Sequence, residues 1–171
     1  MLPRNRWNLL DPEVLAWAFA GKPDRKFVRD LFELRAVVEP AAAGLAAERA
    51  DKAELKVMRE ALAGMRRHTL ATEAGRAADR DFHTAILQAT RNDALQVLSA
   101  SIGAAVNWTT QFKLSSPALP RNPIPDHVRV YDAIAAGDAE AAAQPAGAAR
   151  DPKHRSSLHR CQLHHSERTL R

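Results

Sequence analysis

The sequence predicts an all-α fold, and three observations carry that prediction. Alanine, the strongest helix former, leads the apolar residues, which make up 46% of the chain. Aromatic residues amount to only 5%. No stretch alternates Val, Ile, Thr or Tyr in the two-residue rhythm that a strand requires. A chain of 171 residues has the length of one domain, and its apolar share is enough to fill one core.

Residues 1–22 read as a linker followed by a short helix. Asp11 can cap that helix, Pro12 suits its first position, and Gly21 ends it at about residue 20. A long helix is expected over about 24–50, where Phe27, Leu31, Leu34, Val38, Ala41 and Leu45 recur at three- and four-residue steps. Pro40 falls inside it as a potential kink. Asp51 and Glu54 have the spacing of a capping box for a third helix, about 52–71. A fourth is expected over about 74–90, ended by Asn92-Asp93, and a fifth over about 93–114. The prolines of SSPALPRNPIP, residues 115–125, mark a loop. A sixth helix over about 126–136 stops at Gly137, and a last one begins at Asp138. The chain is thus read as all-α with about six to seven helices, residues 23–143 forming one helical bundle.

After Ala143 the character changes. Residues 144–171 lack an apolar stripe, hold four of the seven histidines, and carry six basic against two acidic side chains. Two readings stay open: a solvated, disordered tail, or a frameshifted end that has replaced a last helix. Because +4 of the net +5 lies there, the body of the chain is nearly neutral and shows no basic face of the kind that reads nucleic acid. Cys161 stands alone, which excludes a disulfide framework. No apolar run reaches the length of a membrane span, and MLPRNRWNLL lacks the core of a signal peptide. The expected location is the cytoplasm, with no membrane partner.

The segment ADRDFHTAILQAT is the most informative for chemistry. At about 100° per residue, Asp79, Phe82, His83 and Ile86 share one face of a helix, while Arg80, Asp81 and Gln88 face away. In DHVRVYDAI, His127 lies on the same face as Val130, Tyr131 and Ile134. One carboxylate and two imidazoles therefore point inward from two helices. A carboxylate on a core-facing stripe is costly unless paired or metal-bound, and helical bundles build metal sites in this way. The plainer reading is a core histidine with a hydrogen bond, and an Asp79 paired with Arg35 or Arg76. Arg35 can clamp a ligand carboxylate bidentately, or simply pair with Glu39 four residues on. Asn107, Thr109 and Tyr131 are candidates for reading ligand hydroxyls, and His68 is placed on a solvated face.

Three ordered segments, DLFELRAVVEPAAAGLAAERA, DRDFHTAILQATRNDAL and HVRVYDAIAAGDAEAA, resemble the FCD sensing domain of FadR-type GntR transcription regulators over about residues 24–143. The opening RNRWNLLDPEVLAWAFAG resembles the linker of the subgroup that controls galactonate and related sugar-acid genes. The resemblance implies a dimeric, antiparallel helical bundle that is not an enzyme. It implies a divalent metal (Zn, Mn or Ni) with a small organic acid, a sugar acid, bound beside it. Asp79, His83 and His127 match metal ligands, and Arg35 matches an effector contact. The family's further His ligand falls where this sequence reads GAARD. Only ten linker-like residues precede Asp11, so the winged helix through which the family binds DNA is expected to be missing and site-specific DNA binding is not expected. Two other functions remain open on the residues alone. An open Asp/His/His site can activate water in a metal-dependent enzyme acting on a small acid. Alternatively, the chain is a metal-free dimerisation bundle or a truncated gene product.

Overall fold

The computed structural model describes residues 8, 10–21, 23–115 and 122–145. They form helices and no strand: α1 (Pro12–Phe19), α2 (Arg25–Arg49), α3 (Lys52–His68), α4 (Glu73–Ala89), α5 (Asp93–Val97), α6 (Ser99–Leu114), α7 (Ile124–Ala135) and α8 (Ala139–Ala142).

Most starts are capped as the sequence requires. Asp11 accepts from the backbone N–H groups of Glu13 and Val14 with Pro12 next in line. Asp51 and Glu54 close a reciprocal capping box. Asn92 caps α5 and Asp138 caps α8. Each such oxygen satisfies an N–H that has no partner inside its own helix. The α3–α4 connection is tight. Thr69 takes a left-handed φ of 57°, and the Thr72 hydroxyl accepts from the Gly75 N–H. A Cβ at Gly75 would lie 1.7 Å from the Thr69 carbonyl oxygen, so only glycine fits there.

Helix α4 is the centre of the bundle and packs against α2, α3 and α6, while α7 closes over α2 and α3. The main core joins Met58, Leu62 and Met65 of α3 to Phe82, Ile86 and Leu87 of α4, Ile102 and Val106 of α6, and Ile134 of α7. A second, smaller core seats α1: Leu15, Phe27, Leu31 and Ala105 are buried together, and Phe19 stacks on Trp108 with centroids 5.3 Å apart.

Four features differ from the sequence expectation. Residues 93–114 are two helices rather than one. Gln88 donates to the Ser99 hydroxyl, that hydroxyl donates back to the Gln96 carbonyl, and Gln96 donates to the Gln88 carbonyl, which bends the chain at Leu98. In α2 the buried face turns after Pro40: Ala41 is exposed, and Ala42, Ala43, Ala46 and Ala47 are buried instead. The helix stays continuous through Pro40, but the proline supplies no N–H to the Ala36 carbonyl. Helix α7 starts at Ile124 because Pro125 is tolerated in a first turn and Asn122 accepts from the Ile124 N–H. Gln144 and Pro145 are tied down, since Arg129 on α7 donates to the carbonyls of Ala141, Gln144 and Pro145. Residues 146–171, with the remainder of the expected tail, lie outside the described residues.

Candidate metal centre

Asp79 and His83 are one turn apart on α4, and His127 comes from α7, brought across by the packing of both helices on α2. The three side chains meet in the interior, with Asp79 only 3% exposed. His127 Nε2 lies 3.1 Å from Asp79 Oδ1 and 3.2 Å from His83 Nε2, and His83 Nε2 lies 3.7 Å from Asp79 Oδ1. The donor atoms of a tetrahedral shell with bonds of about 2.0–2.1 Å are about 3.3 Å apart. The three observed separations bracket that value.

The protonation pattern supports the same fit. His127 Nδ1 is 2.8 Å from the Pro123 carbonyl oxygen, which can only accept, so Nδ1 carries the hydrogen. In the neutral imidazole Nε2 then presents a lone pair to the centre of the triad. Asp79 Oδ2 accepts from the Thr110 hydroxyl at 3.2 Å, whereas Oδ1 is buried without a hydrogen-bond donor. A buried carboxylate oxygen without a donor, facing two imidazole nitrogens, is an arrangement that a cation completes. The titration of the group reflects this. Burial opposes ionisation of Asp79, but His127, His83 and the more distant Arg35 outweigh it and bring its pKa down to about 2. Burial likewise opposes charge on His127, yet Asp79, the Pro123 carbonyl and Glu39 raise its pKa. Burial prevails at His83, whose pKa is lowered despite Glu39 and Asp79. Phe82 packs edge-on against both imidazoles, with centroids 5.9 and 5.2 Å away.

Beside the triad lies a cavity of about 410 Å³, lined by Arg35, Glu39, His83, Lys113, Asp126 and His127 among its polar residues and by Phe32, Phe82, Ile86 and Val130 among its apolar ones. That volume lies within the range of small-molecule sites. Ala36 and Pro40 also line it, so the interrupted stretch of α2 forms part of the wall. Ala142, Gln144 and Pro145 close another side.

Of the residues singled out for an effector, Arg35 lines this cavity. Its Nε donates to Glu39 Oε1 at 2.6 Å and Nη1 donates to the Thr109 hydroxyl, so it enters the cavity already oriented. Asn107, Thr109 and Tyr131 are not among the described residues of the wall. Asn107 accepts from Arg80 at 3.0 Å, Thr109 is fully buried behind Arg35, and Tyr131 packs against the main core. Neither arginine considered as a partner for Asp79 bonds to it: Arg76 pairs with Glu73 and the carbonyls of Leu70 and Ala71. His68 is exposed. Glu39, Lys113 and Asp126 are wall residues that the sequence did not single out as site residues. Only their meeting across three helices reveals them.

Residues 30–148 match the FCD domain family. The chain is 35% identical over 145 residues to the galactonate operon transcriptional repressor of Escherichia coli, covering 84% of this chain and 63% of that protein. It is 32% identical over 116 residues to the HTH-type transcriptional regulator LutR of Bacillus subtilis, covering 65% and 53%. A solved GntR structure from Streptococcus agalactiae superposes with a TM-score of 0.55 at 21% identity, over 78% of this chain and 54% of that one, and so shares the fold. The chain thus spans between about half and two thirds of the length of the proteins it matches. With the helical bundle, the match over most of its length and the two regulators as relatives, the chain belongs to the FCD domain family of GntR/FadR-type transcription regulators.

Proposed function

We propose that this domain is the effector-sensing half of a bacterial transcription regulator, in which Asp79, His83 and His127 hold a divalent metal and a small hydroxy-carboxylate, a sugar acid, binds beside it. The observation that supports this most directly is the convergence of one donor-less carboxylate oxygen and two imidazole nitrogens beside a cavity that also contains Arg35. Three protein ligands leave coordination positions open. A carboxylate with an adjacent hydroxyl offers oxygen ligands for them, and Arg35 adds a directional cationic contact. The similarity to a galactonate operon repressor favours an aldonate among hydroxy acids. Zinc, manganese and nickel all accept this nitrogen and oxygen donor set. On this reading the working unit is a homodimer, and DNA is contacted through a separate winged-helix domain.

The test is a thermal-shift panel of aldonates, short hydroxy acids and fatty acyl compounds, each with and without metal. Mass spectrometry of the metal content accompanies it. Binding to the native state stabilises it by mass action, about 4 kcal/mol at a thousandfold excess over Kd. The expected result is metal-dependent stabilisation by aldonates that weakens in Arg35→Ala, with metal lost in His83→Ala and His127→Ala. Metal content unchanged by both histidine substitutions, or a response confined to acyl chains, refutes the reading.

A further inference from the structure

Glu39 has no part in the triad, and its spacing from Arg35 is that of an ordinary surface pair. Its surroundings are different. It is held on one side by Arg35, with Nε 2.6 Å from Oε1 and Nη2 3.4 Å from Oε2. Arg35 is itself anchored by the buried Thr109 of α6. On the other side, the same Oε1 lies 3.5 Å from Nδ1 of His83, the ring nitrogen that points away from the triad. A relay of Thr109, Arg35, Glu39 and His83 therefore runs from α6 through α2 to α4.

The two imidazoles are thus backed by different acceptors. His127 Nδ1 donates to the Pro123 carbonyl, which fixes its Nε2 as a lone-pair donor. His83 has Glu39 in the equivalent place. A ligating histidine commonly donates its other N–H to a carboxylate or carbonyl, which sets the tautomer and raises the basicity of the ligating nitrogen. A cation on Nε2 would make Nδ1–H more acidic and so a stronger donor to Glu39, which lies 3.5 Å away.

Resting on the metal reading above, we infer that Glu39 is the positioning residue of the metal centre. It holds His83 as the Nδ1–H tautomer, with Nε2 aimed at the ion, while Arg35 holds Glu39 in place. Glu39 touches neither the ion nor, in this role, the effector. The competing view is that Glu39 serves only to pair with Arg35, and this predicts no effect on metal affinity.

The experiment uses the full chain, stripped of metal and titrated with Zn²⁺ or Ni²⁺ in competition with a chromophoric chelator, for wild type, Glu39→Gln, Glu39→Asp and Glu39→Ala. Long-range ¹⁵N–¹H imidazole spectra report the His83 tautomer. The expected result is a metal Kd weakened about 10- to 100-fold in Glu39→Ala. Glu39→Gln should fall between it and wild type, Glu39→Asp should recover part of the loss, and His83 should become a tautomer mixture in Glu39→Ala. Should Glu39→Ala fail to fold, Glu39→Gln and Glu39→Asp carry the test. A Kd within twofold of wild type in the folded variants, with the His83 tautomer unchanged, overturns the inference and leaves the metal site standing. Wild-type protein that takes up no metal overturns the site and the inference together.

Discussion

Thr110 on α6 donates its hydroxyl to Asp79 Oδ2 on α4, and this one bond decides how the carboxylate is used. With Oδ2 satisfied from behind, Oδ1 is the oxygen left facing the imidazoles. We predict that Thr110→Val removes about 2 kcal/mol of stability, because it strips a donor from a buried, ionised group without changing side-chain volume much. Thr110→Ser, which keeps the hydroxyl, should lose less. Urea denaturation of both variants checks this, and a loss in Thr110→Ser that exceeds the loss in Thr110→Val would show that packing of the methyl group, not the bond, matters.

Gly75 offers a sharper stability test. The Thr69 carbonyl occupies the space of its absent Cβ, so Gly75→Ala must push the α3–α4 turn apart. We expect a loss of about 3 kcal/mol or more, at the upper end of overpacking costs. At about 3 °C per kcal/mol for a domain of this size, that is a fall in Tm near 10 °C. Gly21, whose Cβ position is open, serves as the control: Gly21→Ala should leave Tm almost unchanged.

The acid limb of the stability profile should belong largely to Asp79. Its folded pKa of about 2 lies below the ordinary 3.8, so its contribution is complete above the unfolded value and disappears as pH falls from about 4 towards 2. The shift corresponds to about 2 kcal/mol. Glu39, also lowered, acts in the same direction. The imidazoles oppose each other. His127, with a raised pKa, stabilises the metal-free fold below its ordinary 6.5 and ceases to do so as pH rises through its folded value. His83, with a lowered pKa, favours the fold above 6.5 and counts against it below. Chemical denaturation between pH 2 and 8 should therefore show a shallow region near neutrality and a steep acid limb, and Asp79→Asn should flatten that limb.

Metal uptake should release a proton near neutral pH. A cation needs the His127 Nε2 lone pair, and the raised pKa of His127 means that nitrogen is partly protonated there. Affinity should rise with pH and level off above the His127 value. Calorimetry in two buffers of different ionisation enthalpy measures the proton count, and a count of zero at pH 6.5 would contradict the raised pKa of His127.

Much of this was legible in the sequence, and for a physical reason. Caps and helical periods are local, so Asp11, Asp51 and Glu54 act where their spacing placed them. The inward direction of Asp79, His83 and His127 is a property of each helix taken alone, and packing needed only to bring the helices together. What was hidden depends on contacts between elements. The break at Leu98 arises from side-chain bonds that reach back to Gln88. Arg35 and Glu39 form the expected pair, but only the approach of α4 gives Glu39 a histidine. Asn107 and Thr109 looked available because nothing local shows that Arg80 and Arg35 take up their polar atoms.

The neighbouring threonines Thr109 and Thr110 tether Arg35 of α2 and Asp79 of α4 from a single turn of α6. On the same helix Ala105, one turn before Thr109, joins the small core that seats α1, and Trp108, next to Thr109, stacks on Phe19 of α1. Hydrogen bonding along a helix makes it stiff on the scale of one turn, about 5.4 Å, and close-packed interiors pass displacement on rather than absorb it. Helix α6 therefore has the layout of a crankshaft: any rotation about its own axis would alter both tethers and the seat of α1 together.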